Sequence, residues 1–167
     1  MLAFLAKEPC HGYDLRARVQ DALGPLGDSL NAGQIYVTLS RLERADLVSV
    51  AHVEQVGRPD RKMYALTAAG QERVARWLTE VGWTRPAPTE FHLKLVAARA
   101  SGLADPVALI DAQRTELLNQ LGGAQRAALA EPTGSAPALL LEAVVLRLQA
   151  DLRWLDSCER YWMRTDG

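Results

Sequence analysis

The chain has 167 residues, of which 49% are hydrophobic and 23% charged. That excludes a disordered polyelectrolyte and leaves room for one ordinary domain or two small ones. Its formal net charge is −1, with acid and base balanced on both sides of Gly82, which argues against a nonspecific nucleic-acid coat and requires any positive field to be local. Cys10 and Cys158 stand far apart in no metal-like spacing, so no disulfide framework is expected.

Residues 1–6 form a short apolar run that reads as a helix closed by Glu8-Pro9. Lys7, Glu8 and Pro9 interrupt it too early for a signal peptide. No stretch reaches the ~18 apolar residues of a membrane-spanning helix, so the expected compartment is the reducing cytoplasm and no membrane partner is expected. Residues 11–23 place Leu15, Val19 and Leu23 on one helical stripe, which Gly24-Pro25-Leu26-Gly27 ends. Residues 31–45 read as the next helix. Asn31 is an N-cap residue, and Gln34 three positions on completes a capping-box pattern. Ile35, Leu39 and Leu42 share one face, while Gln34, Thr38 and Arg41 lie on another.

The period then changes. Residues 47–55 are rich in valine and read as a strand, 56–61 as a loop carrying Gly57 and Pro59, and 62–66 as a second strand. Together they make a hairpin with a basic tip. Thr67 caps a following helix in which Val74, Trp77, Leu78 and Val81 fall at i, i+3, i+4 and i+7.

Pro86 and Pro88 forbid a continuous helix through 83–88. This linker separates an N-terminal domain, 1–82, from a C-terminal helical domain, 89–167. Three helices are expected there. One covers 90–100. A second starts at Pro106, with Asp105 as cap, and runs to residue 130. A turn holding Pro132, Gly134, Ser135 and Pro137 leads to a third over 138–163. Leu141, Val145, Leu148, Leu152 and Leu155 keep a spacing of four, three, four, three. Val107, Ile110, Leu117 and Leu121 follow the same rhythm, broken at Arg114. A 3.5-residue period marks helices that pack along their length. The stripe from Leu141 to Leu155 is expected to form a homodimer contact, as a surface that one monomer would struggle to cover.

The order helix, helix, helix, hairpin, helix is that of a winged helix-turn-helix domain, so the fold class is mainly α with a small β-hairpin and an appended helical dimerisation domain. A helix that enters the major groove must show polar side chains to base edges and keep its other face apolar. The segment 31–45 meets both demands. Asn31, Gln34, Tyr36, Thr38 and Arg41 are its candidate DNA contacts. Arg58, Arg61 and Lys62 set three cations against Asp60 at the hairpin tip, where phosphate contacts supply affinity without sequence information. On pattern alone, a helical protein–protein adaptor that never touches DNA fits equally well. Catalysis finds no support. Cys10 lies between Pro9 and His11, but no nucleophile elbow or oxyanion motif accompanies it. His11, His52 and His92 are scattered, with no carboxylate at ligand spacing. No enzyme activity, cofactor or metal is expected.

A longer set of matches narrows the choice. Leu2-Ala3-Phe4-Leu5-Ala6 leads to His11-Gly12-Tyr13-Asp14-Leu15. Gly33-Gln34-Ile35-Tyr36-Val37-Thr38-Leu39-Ser40-Arg41-Leu42-Glu43 follows, then Leu47-Val48. The wing reads Gly57-Arg58-Pro59-Asp60-Arg61-Lys62-Met63-Tyr64-Ala65-Leu66-Thr67-Ala68-Ala69-Gly70 and closes at Trp77-Leu78. This string resembles the PadR-like family of transcriptional regulators. Glu90-Phe91, Leu93-Lys94-Leu95 and Leu152-Arg153-Trp154-Leu155 resemble, more loosely, the C-terminal domain of its longer members, related to virulence-gene activators.

The resemblance implies a sequence-specific regulator that binds a double-stranded DNA operator, an inverted repeat, as a homodimer and acts as a repressor. It implies that Tyr36 touches DNA and that His11, Gly12 and Tyr13 form a turn-and-anchor unit. Tyr64 and Leu66 pin the wing to the core. In such proteins tryptophans can line a pocket for a small aromatic effector, a role open to Trp77, Trp83, Trp154 and Trp162, beside the plainer reading of core packing. Two departures stand out. Family members carry several residues ahead of the first helix, which here begins at Met1. Ala45-Asp46 stands where an acidic residue and glycine are usual, and Asp46 tolerates the left-handed conformation such a turn needs.

Overall fold

A computed structural model describes the backbone of residues 1–55, 58–81 and 89–163, and the side chains of 1–53, 62–81 and 89–161. Contacts divide the chain into two compact units, Met1–Gly82 and Trp83–Gly167.

The first unit runs α1 (Leu2–Leu5), β1 (Cys10–His11), α2 (Gly12–Leu23), a 3-10 turn (Gly24–Gly27), α3 (Ala32–Arg44), β2 (Val48–Gln55), β3 (Arg58–Leu66) and α4 (Ala68–Thr79). Its three strands are antiparallel in the order β1-β3-β2. Two of these features depart from the sequence reading. β1 is a third strand, in which Cys10 faces Tyr64 and His11 faces Met63. β3 begins at Arg58, so most of the expected tip loop is strand, with Gln55 opposite Arg58 and Val53 opposite Arg61. β1 reaches only Met63 and Tyr64 of β3, so Pro59 lies where β3 has β2 alone as its paired neighbour, the edge setting in which a strand accommodates proline.

The core gathers Leu5, Cys10, Leu15, Val19, Ile35, Leu39, Val48 and Tyr64. α3 starts at Asn31, whose Oδ1 accepts from Gly33 N at 2.8 Å. The reciprocal bond from Gln34 is absent among the described residues. Asp46 adopts φ 55°, as the departure from glycine requires. Thr67 then ties the turn down, its hydroxyl donating to the Asp46 carbonyl (2.7 Å) and accepting from Gly70 N (3.0 Å). The expected apolar face of α4 is mostly uncovered. Val74 is buried, but Trp77 and Leu78 are exposed, and the helix ends at Thr79, short of the exposed Val81 that the sequence placed on it.

The second unit consists of α5 (Glu90–Ser101), α6 (Pro106–Ala130) and α7 (Ala136–Met163). Asp105 Oδ1 caps α6 by accepting from Val107 N at 2.9 Å, with Pro106 in the first helical position. Leu95, Ile110, Leu117, Leu148 and Leu155 form its core. This corrects the dimer expectation for the stripe. Leu141, Leu148 and Leu155 are buried within one chain, Val145 and Leu152 half-buried. α6 supplies the cover, because its own apolar rhythm faces that of α7. At the break in that rhythm Arg114 reaches Asp111 (2.6 Å), Asp156 (3.3 Å) and Glu159, which clamps α6 to α7. The apolar side chains left outside include a different stripe of α7, Leu139, Ala143, Leu146 and Ala150, and Leu93 and Val96 of α5. Among the described residues no helix is long and apolar enough to cross a membrane, and no cluster of His, Cys, Asp or Glu has the geometry to hold a metal.

Candidate nucleic-acid interface

α3 is anchored through Ile35 and Leu39, both buried, with Leu42 half-buried behind them. Its outward arc is therefore Gly33, Gln34, Val37, Ser40, Arg41 and Arg44, all exposed. Asn31 stands exposed at the N-terminal end, its side-chain oxygen spent on the cap. Thr38 leaves the group to which the sequence assigned it. It is half-buried, its hydroxyl donates to the Gln34 carbonyl at 2.7 Å, and it lines a cavity of about 330 Å³ among Met1, Leu2, Leu42, Val74 and Trp77. The cause is angular: at 3.6 residues per turn Thr38 lies nearer the half-buried Leu42 than Arg41 does.

Val37 is the residue that sequence reasoning missed. It is 52% exposed on the outward arc. Only polar side chains were credited there, yet an apolar side chain is what a thymine methyl group contacts.

Tyr36 lies on the opposite flank, 48% exposed. With His11, Tyr13, Ser40, Lys62 and Tyr64 it lines a cleft of about 690 Å³ between α2, α3 and β3. His11 Nδ1 donates to the Lys62 carbonyl at 3.0 Å, which ties the wing to the start of α2 and leaves the Lys62 side chain exposed. Burial pushes the Tyr64 phenol above its ordinary pKa, with smaller contributions from Glu43 and Tyr36. Tyr64 is thus a neutral packing residue. Tyr13 is 73% exposed, so of the turn-and-anchor unit it is Gly12, not Tyr13, that is buried. The side chains of Arg58 and Arg61 lie outside the described residues.

Trp83 and Trp162 also lie outside them. Trp77 borders the cavity of the first unit. Trp154 sits in the second, its ring 4.4 Å from His92 and edge-on to Phe91 at 6.2 Å. Burial raises the pKa of both Cys10 and Cys158, which disfavours the reactive thiolate.

A three-helix core, a wing paired to it, and an exposed polar arc on the third helix with a cation beside it define a winged helix-turn-helix protein, here joined to a helical unit. Residues 1–76 match the transcriptional regulator PadR-like family. Over 94% of its length the chain is 31% identical to Rv1176c, a probable transcriptional regulator of Mycobacterium tuberculosis, of which it covers 92%. The chain belongs to the PadR-like family of transcriptional regulators. Among solved structures, Bacillus subtilis PadR in complex with operator DNA matches at a TM-score of 0.68 and 24% identity, over 94% of this chain and 92% of that one. The same protein with p-coumaric acid matches at 0.65 and 25%, over 94% and 89%. The Vibrio cholerae virulence activator AphA matches at 0.68 and 20%, over 97% and 96%. The likenesses to the operator complex and to AphA carry the fold, including that of the helical unit.

Proposed function

We propose that this regulator is a repressor that binds an inverted-repeat DNA operator in the cytoplasm as a homodimer and is released by a small aromatic effector. The observation that carries the reading is the exposed arc Gln34, Val37, Ser40 and Arg41 with Lys62 at its side. Bacillus subtilis PadR, solved with operator DNA and with p-coumaric acid, supports it by family likeness. A gel shift with the promoter fragment upstream of its own gene tests it. No shift at low salt with dimeric protein returns the chain to the adaptor reading.

The side chains divide the work. Replacing Arg58, Arg61 or Lys62 by alanine is expected to weaken binding to all sequences and to lower the slope of log affinity against log salt by about 0.9 per lost phosphate contact. Replacing Gln34, Val37 or Arg41 should instead change discrimination between sites. Wing variants that lose discrimination while keeping nonspecific affinity would reverse the assignment.

For the dimer, the stripe Leu139, Ala143, Leu146 and Ala150 takes the place of the covered one. Its spacing of four, three, four suits packing against a second helix.

For the effector, the cavity beside Trp77 has walls from α1, α3 and α4 and is lined mainly by apolar groups. A ligand there touches the recognition helix at Thr38 and Leu42. It releases DNA only if it binds the DNA-incompetent arrangement more tightly. With p-coumaric acid as first probe, tryptophan quenching and loss of operator affinity should share one concentration dependence. Quenching with unchanged affinity rules out control through this cavity.

A further inference from the structure

Gly12 opens α2, and its backbone does not lie in the left-handed region that would call for glycine. Space calls for it instead. A Cβ built there would lie 2.6 Å from Tyr36 Cε1, 3.1 Å from Tyr36 Cζ and 3.3 Å from Leu39 Cδ1. Carbon atoms in contact prefer roughly 3.5–4.0 Å, so one partner has to yield. Leu39 is fully buried in the core. The start of α2 is held to β3 twice, by the pairing of β1 with that strand and by the bond from His11 to the Lys62 carbonyl. Tyr36, half-exposed, is the partner with room to move.

We infer that Gly12 is a positioning residue for DNA recognition: the missing side chain seats the Tyr36 ring against α2 and sets the angle at which its phenol meets the operator. The inference rests on the reading that α3 enters the groove. Cζ, which carries the hydroxyl, lies over Gly12, so the phenol end of the ring points into the cleft shared with Tyr13, Ser40 and Lys62. Tyr36 thereby bridges the recognition helix and the wing, and a methyl group at position 12 would push it off that bridge while the core stays intact.

Gly12→Ala, Tyr36→Ala and the double variant test this in the full chain, with the same promoter fragment. Gly12→Ala should fold normally by circular dichroism, yet shift the Tyr36 ring signals in the NMR spectrum of the free protein. Its operator affinity should fall about tenfold, the scale of one lost directional contact. The salt slope should not change, since no cation is removed. In the Tyr36→Ala background, Gly12→Ala should add nothing, because the obstructed ring is gone. Unmoved Tyr36 signals overturn the inference, whatever the protein binds. So does an equal loss in both backgrounds, or a Tyr36→Ala protein that binds as wild type. A wild-type chain that fails to shift the fragment sinks the operator reading, and the NMR comparison still decides the role of Gly12.

Discussion

Gly70→Ala is expected to destabilise the DNA-binding unit by about 3 kcal/mol, the upper end for overpacking a filled site. A Cβ at that position would lie 2.1 Å from the Leu47 carbonyl oxygen and 3.1 Å from Leu66 Cδ2. The case differs from Gly12, because the obstruction is main chain and no ring can swing aside. Leu47 is also tied on both sides. Its N–H donates to the Leu42 carbonyl at 3.0 Å, and its carbonyl accepts from Thr67 N at 3.3 Å. Displacing it loosens the end of α3, the entry to β2 and the cap of α4 together. For a unit of this size each kcal/mol is worth roughly 4–8 °C, so the first melting transition should fall by more than about 10 °C. Gly123→Ala is the control. It lies inside α6, nothing approaches its would-be Cβ within 4 Å, and losing a mid-helix glycine should gain roughly 0.5–1 kcal/mol. A Gly70→Ala protein that melts like wild type would mean that α4 lifts away from Leu47 at no cost.

Local chemistry was the part of this fold most readable from sequence. Asn31, Thr67 and Asp105 each cap a helix because an acceptor oxygen precedes an apolar-periodic segment. Asp46 takes the left-handed turn for an equally local reason. Features that depend on a distant partner were not readable in the same way. β1 is two residues long, too short for any period, and exists only because β3 passes beside it. Pro59 looks like a loop residue until β2 supplies the pairing that continues β3 to Arg58.

The candidate interface divides along the same line. The polar–apolar period placed Gln34 and Arg41 outward correctly. It misplaced Thr38, whose surroundings come from α1 and α4. It passed over Val37, because an apolar residue on an outward arc makes sense only once a partner with apolar groups of its own is considered. Gly12 was visible as part of a family string, but its reason, the ring of Tyr36, is twenty-four positions away.

Leu148→Asp is expected to unfold the C-terminal unit, whereas Leu146→Asp leaves it folded and separates the two copies. The residues are neighbours on α7 with opposite surroundings. Leu148 is packed with Leu95, Ile110, Leu117 and Leu155. Removing such a leucine costs about 2–5 kcal/mol, and a carboxylate in its place adds the cost of burying a charge without a partner. The sum rivals the roughly 5–15 kcal/mol that holds a whole domain together. Circular dichroism should show the loss of much of the helix content of α5, α6 and α7. Leu146 is 57% exposed, between Ala143 and Ala150, so aspartate there meets water in the monomer at little cost. In a symmetric dimer packed on this stripe, each copy brings the same new charge into the contact, and Leu139, Ala143 and Ala150 have no group to pair with it. Sedimentation should find monomers with wild-type helix content. Their operator affinity should collapse, since each half-site must then be bound alone. A Leu146→Asp protein that sediments as wild-type dimer moves the interface elsewhere, to the exposed Leu93 and Val96 of α5 first. A Leu148→Asp protein with full helix content contradicts the packing of α6 on α7 itself.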